Sequence, residues 1–305
     1  MQLAQLTYGP GGFVLHPIPV RVIAYCMPNI DQQKSKAEAF RFQHHGSKTL
    51  ILPNVWDVAS ARIIEEAGFP AIATTSAGIA FSLGYPDGEK ISREEMLARV
   101  ARIARAVKVP VTADVESGYG SRPEDAEETA RQVIAAGAVG MNLEDGTGDP
   151  QHPLADMSLQ LERIRAVREA DAKAGLALVL NARTDVYLDQ VGAPETRYDE
   201  TLKRGTAFRE AGADCVFVPG IRDAETIARL VKDLKCPVNI LAGPGSLSIE
   251  DLEKLGAARV SLGSAPMRAT LGLLRRAAQE LKASGSYAAL EGAPPHAEVN
   301  KLMSR

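Results

Sequence analysis

Val109-Pro110-Val111-Thr112-Ala113-Asp114-Val115-Glu116-Ser117-Gly118-Tyr119-Gly120 is an apolar run that delivers two acids into a glycine-rich turn. Proline is tolerated as the first residue of a strand, and the apolar residues after it predict a buried strand, Pro110–Asp114, that ends in a polar loop. Side chains two apart on a strand share a face, so Asp114 and Glu116 should project together from the strand end. Neighbouring carboxylates repel unless something positive lies between them. A hard divalent cation is the simplest solution, and oxygen ligands suit Mg²⁺ or Mn²⁺. The plainer alternative is a strand-to-helix turn whose acids are merely solvated.

Working outward, the same unit recurs: a short apolar strand, a polar loop, a helix with 3.6-residue periodicity, then glycine or proline before the next strand. Strands are expected at Leu50–Pro53, Ala71–Thr75, Pro110–Asp114, Gly140–Glu144, Ala177–Ala182, Cys215–Val218, Val238–Leu241 and Arg259–Leu262. Helices are expected near Asp57–Ala67, Ser92–Val107, Pro123–Ala136, Ser158–Ala174, Tyr198–Ala211, Asp223–Leu234, Ser248–Leu255 and Pro266–Lys282. Gly68, Gly137, Gly212 and Gly256 stand where helices need a left-handed C-cap. Ser92 with Glu95, and Pro123 followed by Glu124 and Asp125, mark helix starts. Strands alternating with helices in this number predict an α/β fold of parallel strands closed into a (β/α)₈ TIM barrel. No G-x-G-x-x-G follows the first strand, which argues against a dinucleotide fold.

The chain of 305 residues fits one such barrel. Residues 1–30 read as an extension outside the fold, 31–290 as the single barrel domain with a C-terminal helix, and 291–305 as a tail. A net charge of -3 gives no basic bias toward nucleic acid. No apolar run approaches the ~18 residues of a membrane span. Cys26, Cys215 and Cys236 have no metal-motif spacing, and reduced thiols in apolar strands fit a cytoplasmic protein.

Chemistry in such barrels lies at the C-terminal ends of the strands. Those ends supply Asn54, Trp56 and Asp57; Thr75, Ser76 and Ala77; Asp114 and Glu116; Asn142, Glu144 and Asp145; then Asn181, Arg183 and Asp185. Strands six to eight offer Pro219-Gly220, Gly243-Pro244-Gly245 and Gly263-Ser264. A cation held by Asp114, Glu116 and Glu144 beside Arg183 would suit a substrate with a carboxylate next to another oxygen, Arg183 forking the carboxylate. No lysine ends a strand, which disfavours Schiff-base chemistry. Asp145, His152 and Tyr85 are the candidate proton donors, although a lone loop histidine is more often a surface residue.

The segments from Asn54 to Gly88, Val109 to Gly120, Gly137 to Gly146 and Leu180 to Leu188, in that order and spacing, resemble the isocitrate lyase/phosphoenolpyruvate mutase superfamily. The resemblance covers residues 49 to about 280. It implies a barrel that binds Mg²⁺ beside a 2-oxo acid or its enolate, with a small carboxylate substrate. By the same resemblance Asp114 and Glu116 match the acids of the family's D-x-D-x-G-Y-G, the second lengthened to glutamate. Glu144 matches an acid that reaches the metal through water, and Asp87 a loop aspartate near it. Thr75, Ser76 and Ala77 match a substrate-holding turn, and Arg183 an arginine that faces the substrate, with Asn181 beside it. Relatives exchange their last helix between subunits, which implies a homo-oligomer.

Two departures bear on the reaction. The lyases' K-K/R-C-G-H lid after strand four is replaced by Asp145-Gly146-Thr147-Gly148-Asp149-Pro150-Gln151-His152-Pro153, and the mutase lid is missing as well. Strand six reads Val218-Pro219-Gly220 where the lyases carry glutamate. The leading expectation is a Mg²⁺-dependent lyase or hydrolase acting on a small 2-oxo or 2-hydroxy acid, with Gly146–Asp156 closing over the site. The alternatives are a mutase-like enzyme for phosphonate or phosphate, using the glycine turns of strands seven and eight, and a barrel that binds without turnover.

Overall fold

The first barrel strand runs Leu50–Leu52, breaks at Pro53 and resumes as Asn54–Val55. The computed structural model describes residues 29–304, together with the backbone of Ala4–Gly9 and Gly12–Pro17, which pair antiparallel with each other. The expected N-terminal extension and Cys26 thus lie largely outside the described residues. The main sheet has nine parallel segments, and two of these are the halves of that first strand, leaving eight strands. Its first half pairs with the last strand, Arg259–Ser261, and its second half with Ile72–Thr74. The break at Pro53 therefore lets one strand serve both edges, and the sheet closes on itself as a (β/α)₈ TIM-type barrel.

We number the strands β1 (Leu50–Val55), β2 (Ile72–Thr74), β3 (Val111–Ala113), β4 (Gly140–Glu144), β5 (Val179–Arg183), β6 (Cys215–Val218), β7 (Val238–Leu241) and β8 (Arg259–Ser261). The helices are α1 (Ile30–Gln43), α2 (Val58–Glu66), α3 (Ser76–Ser82), α4 (Arg93–Ala106), α5 (Pro123–Ala135), α6 (Met157–Ala174), α7 (Arg197–Ala211), α8 (Ala224–Leu234), α9 (Ile249–Lys254), α10 (Ala265–Ser284) and α11 (His296–Met303). The four helix-exit glycines all take positive φ, between 84° and 119°. Ser92 accepts from the Glu95 N–H at 3.2 Å, and Pro123 opens α5.

Helix α3 begins where the sequence predicts a turn at Thr75–Ala77. Thr75 caps it, accepting from the Gly78 N–H at 3.3 Å, and its first five residues are buried. A Cβ at Gly78 would sit 2.5 Å from Thr75 Cγ2 and 3.2 Å from Trp56 Cβ, so only glycine lets the helix start this close to β1. Seven residues inside the mouth of a barrel carry too little periodicity to show as a helix.

At the opposite end α1 closes the floor. Its Phe40, fully buried, reaches β4, where a Cβ on Gly140 would come within 2.9 Å of the ring. Truncating such a side chain costs about 3–5 kcal/mol. Val111, Met141, Leu143, Leu180, Val216, Ile240 and Val260 belong to the buried core. The interior also carries a polar tier. Asn181 donates to Asn142 Oδ1 at 2.7 Å across their paired positions, and Asn239 donates to Ser261 at 3.2 Å. Asn54 Oδ1 accepts from the Leu262 and Gly263 N–H groups at 2.7 and 2.9 Å, fastening the β8 loop to β1. This tier is the base on which the site stands.

The C-terminal region is unequal. Helix α11, within the stretch read as a tail, docks on α2 through buried Leu302, whose carbonyl accepts from Arg62 Nη1 at 2.9 Å. Helix α10 instead leaves Leu271, Leu273, Leu274 and Leu281 exposed. Among the described residues no helix is long and apolar enough to cross a membrane.

Candidate active site

Asp114 follows directly on β3 and is held from both neighbouring strands. Its Oδ2 accepts from the Ser76 N–H and hydroxyl, each at 2.9 Å, and its Oδ1 accepts from Asn142 Nδ2 at 3.1 Å. The Asp114 N–H donates to Thr74 Oγ1 at 2.9 Å. With Asn181 behind Asn142, a relay of amides from β5 through β4 fixes the carboxylate's orientation. Sequence reasoning placed Asn142 at a strand end without a role. The signal available was its register opposite Asn181.

The strand alternation expected to align Asp114 and Glu116 does not extend to Glu116. Strand β3 ends at Ala113, and Glu116 sits in the left-handed region at φ 52°, so the alternation argument stops before it applies. Glu116 is buried, and its Oε2 accepts from the Glu89 N–H at 2.5 Å. Glu89, at φ 55°, accepts in turn from Ser117 Oγ at 2.8 Å and the Tyr119 N–H at 2.7 Å. Glu89 was missed in the sequence because nothing there joins residue 89 to the turn at 117–119.

Glu144, at the end of β4, pairs with Arg183 Nη1 at 2.6 Å. The other arm of Arg183 forks Asp185, at 2.6 Å from Nε and 2.9 Å from Nη2. The expectation of an open guanidinium fork is thus corrected: neighbouring acids engage Arg183, which faces the cavity as a fixed positive charge. Asp145, next in sequence to Glu144, turns the other way. It is fully buried, accepting from Arg204 Nη1 at 3.0 Å and from the Asp185 N–H at 2.9 Å. Its place is an internal ion pair rather than the cavity. His152 is exposed on the following loop, and Tyr85 is exposed beside α3.

That loop forms a small hairpin. Gly146 bridges Leu154, the Thr147 N–H donates to Pro153 O at 3.0 Å, and Arg204 also donates to Ala155 O at 3.1 Å. The expected glycine-hinged lid is here a self-bonded ribbon anchored at its exit.

The cavity these residues surround has a volume of about 170 Å³ and is lined by Thr75, Ser76, Ala77, Asp87, Asp114, Asn142 and Arg183 on one side and by Leu188, Phe217, Leu241 and Ser264 on the other. Drug-sized pockets run to ~300–1,000 Å³, so this one suits a small acid. Carboxyl groups crowd around it. Burial pushes Glu116 up to about 8, with Asp114 and Asp87 adding to the shift. Asp87 is raised by burial and then by Asp114. Glu144 is raised well above the carboxylate range by burial, against the pull of Arg183. Burial disfavours the Arg183 charge, yet Glu144 and Asp185 outweigh it and hold the guanidinium above its usual value.

A divalent cation fits this donor set in a particular way. Among the described residues no three His, Cys, Asp or Glu side chains converge as direct metal ligands. Asp114, Glu116 and Glu144 therefore do not form one carboxylate cage. The cluster nevertheless has hard oxygen donors, carboxylates that raise one another, and a buried Glu116 Oε1 without a hydrogen-bond partner. Such a set matches an ion that keeps several of its waters, as Mg²⁺ does. Asp114 and Asp87 line the cavity, with Glu116 and Glu144 behind them.

Residues 40–282 match the family model for phosphoenolpyruvate phosphomutase. An oxaloacetate decarboxylase of Rhodopseudomonas palustris is 31% identical over 245 residues, 77% of this chain and 81% of that protein. A Burkholderia cenocepacia structure described as a candidate lyase/mutase is 40% identical with a TM-score of 0.85, covering 90% of this chain and 98% of that one. A phosphonopyruvate hydrolase solved with oxalate and Mg²⁺ is 25% identical with a TM-score of 0.77, covering 88% and 95%.

Proposed function

The chain belongs to the phosphoenolpyruvate phosphomutase family, and from that premise we propose that it is a Mg²⁺-dependent enzyme that cleaves a carbon–carbon bond of a small 2-oxo or 2-hydroxy acid. The observation that carries this reading is Asp114, oriented by Ser76 and Asn142 at the edge of a 170 Å³ cavity crowded with carboxylates. Asp114 and Asp87 would hold the ion, and Glu116 and Glu144 would hold its waters. The ion, when bound, supplies Lewis-acid polarisation of the substrate's carboxylate and oxo oxygens.

The chain's own groups do the rest. The Ser76 hydroxyl and N–H keep Asp114 from rotating, so its oxygens meet the ligand already aimed. The buried Arg183 charge stabilises negative charge that develops on the substrate as the bond breaks, and its bonds to Glu144 and Asp185 stop it reorienting. Phe217 and Leu241 make the far wall apolar, which strengthens those electrostatic effects. Asp87 lies exposed at the mouth, its carboxyl raised above the ordinary range by burial and then by Asp114, where it faces the entering ligand. The resemblance to an oxaloacetate decarboxylase supports cleavage over phosphonate rearrangement.

Purified protein incubated with Mg²⁺ and a panel of 2-oxo and 2-hydroxy diacids should release pyruvate, glyoxylate or oxalate from at least one of them. If no member yields any of these, the proposal fails. The exposed leucines of α10 support a homo-oligomer, and sedimentation should show a mass above that of one chain. We further propose a cytoplasmic location, supported by the free thiols of Cys215 and Cys236.

A further inference from the structure

Beside the reaction cavity lies a second one, also of about 170 Å³, between the loops that follow β6, β7 and β8. Leu188 and Leu241 line both, so a wall of two leucines is all that the cavities share. The second cavity has the opposite electrostatic character. It is flanked by Arg222, from the loop after β6, and Arg268, in the first turn of α10. Among the described residues neither arginine has an ion-pair partner. Arg183 differs in this respect, since Glu144 and Asp185 already occupy it.

The glycine turn after β7 runs alongside the Arg222 guanidinium. Gly245 has φ 84°, and the position a Cβ would take lies 3.8 Å from Arg222 Nη1. The glycine turn itself is occupied with its own structure, because the Gly243 N–H donates to Ser246 Oγ at 3.1 Å. Anion recognition at this end therefore falls to the two arginine forks and not to the turn's amides. Such forks match carboxylate and phosphonate oxygens.

Resting on the 2-oxo-acid reading above, we propose that this cavity receives the far, anionic end of the substrate. The 2-oxo acid end lies against Asp114 and Ser76, the connecting carbons cross Leu188 and Leu241, and the second anion reaches Arg222 and Arg268. The substrate class is then a 2-oxo or 2-hydroxy acid with a second anionic group joined through an apolar carbon segment. Oxalate fills the first cavity only. A carboxylate and a phosphonate present similar oxygens to a guanidinium, so both termini belong in the test.

Calorimetric titration with Mg²⁺ would measure Kd for oxalate, for four-, five- and six-carbon 2-oxo diacids, and for a phosphonate-terminated 2-oxo acid. Wild-type protein, R222A, R268A and the double variant would be compared. The expected result is that the double variant weakens at least one diacid or the phosphonate by about tenfold or more relative to oxalate. The acid with the larger loss identifies the terminus. Ratios within about twofold for every acid, or an equal loss for oxalate, would overturn the assignment while leaving the parent reading intact. Wild-type protein that binds oxalate under no condition would overturn both. Thermal unfolding of each variant, expected to match wild type because both arginines are exposed, separates lost binding from lost folding.

Discussion

The two halves of the barrel mouth are built on the same repeating unit and behave differently. The loops after β2 to β5 present Asp87, Asp114, Glu116, Glu144 and Arg183, and hydrogen bonds from the protein fix most of their polar atoms in advance. The ends of β6 to β8 and the loops after them present Pro219, Leu241 and Gly263 to the cavity and, just beyond it, two arginines with no ion-pair partner among the described residues. Charge is fixed on the first side, and on the second side space is left for a ligand. Fixing a charge needs a second layer, here Asn142, Asn181, Ser76 and Glu89, whereas an apolar wall needs only packing. The contrast within one residue step is as sharp. Glu144 pairs with Arg183, which lines the cavity, while Asp145 is buried against Arg204 of the outer helix layer.

The comparison breaks most visibly at Asp114. Asp114→Ala should lower kcat by about 10³-fold or more and abolish Mg²⁺-dependent oxalate binding, because it removes the one acid held from both neighbouring strands. A variant retaining more than about a tenth of the rate would place the centre elsewhere.

Arg204→Leu probes the other acid. It leaves Asp145 buried without its cation, so urea unfolding at pH 8 should show a loss of about 3–5 kcal/mol with oxalate affinity little changed. Burial pushes Asp145 up to about 6 even with Arg204 present, and the loss should shrink at pH 5, where the carboxyl can take up a proton. A fall in affinity without a fall in stability would mean that Asp145 belongs to the site after all.

The last effect is spread over pH as a slope. Glu116 has a folded-state pKa of about 8 against an ordinary 4.5. The folded protein therefore binds the extra proton, and this contribution is complete below about 4.5 and lost as pH rises toward 8. Metal-free protein should lose up to about 1.4 kcal/mol per pH unit across that window. Glu116→Gln should flatten the slope, and Mg²⁺ should stabilise the protein more at pH 8 than at pH 5. A flat profile for wild type would show that Glu116 is ionised and compensated throughout.

The barrel was legible because its signals are local and repeated. Four helix-exit glycines, the proline-entered strands and the caps at Ser92 and Pro123 each report on a few neighbouring residues. The strand-end positions of Asp114, Glu144 and Arg183 were legible for the same reason. Side-chain direction was not. Strand alternation could not set the direction of Glu116, since the strand ends at Ala113 and Glu116 itself is left-handed. It could not tell Glu144 from Asp145, whose difference depends on Arg204, 59 residues away. Asn142 and Glu89 act through partners distant in sequence, at Asn181 and at Ser117 and Tyr119, and no spacing rule links them. Helix α3 was hidden by its shortness.

Asp114 is proposed here as the anchor of a hydrated Mg²⁺ beside a small 2-oxo acid. A crystal structure with Mg²⁺ and oxalate tests it most directly. One ion is expected in the cavity at ~2.0–2.1 Å from an Asp114 oxygen or from waters it holds, with oxalate chelating the ion and Arg183 still bound to Glu144. An ion coordinated without Asp114 or its waters, or oxalate bound outside the cavity, would contradict it.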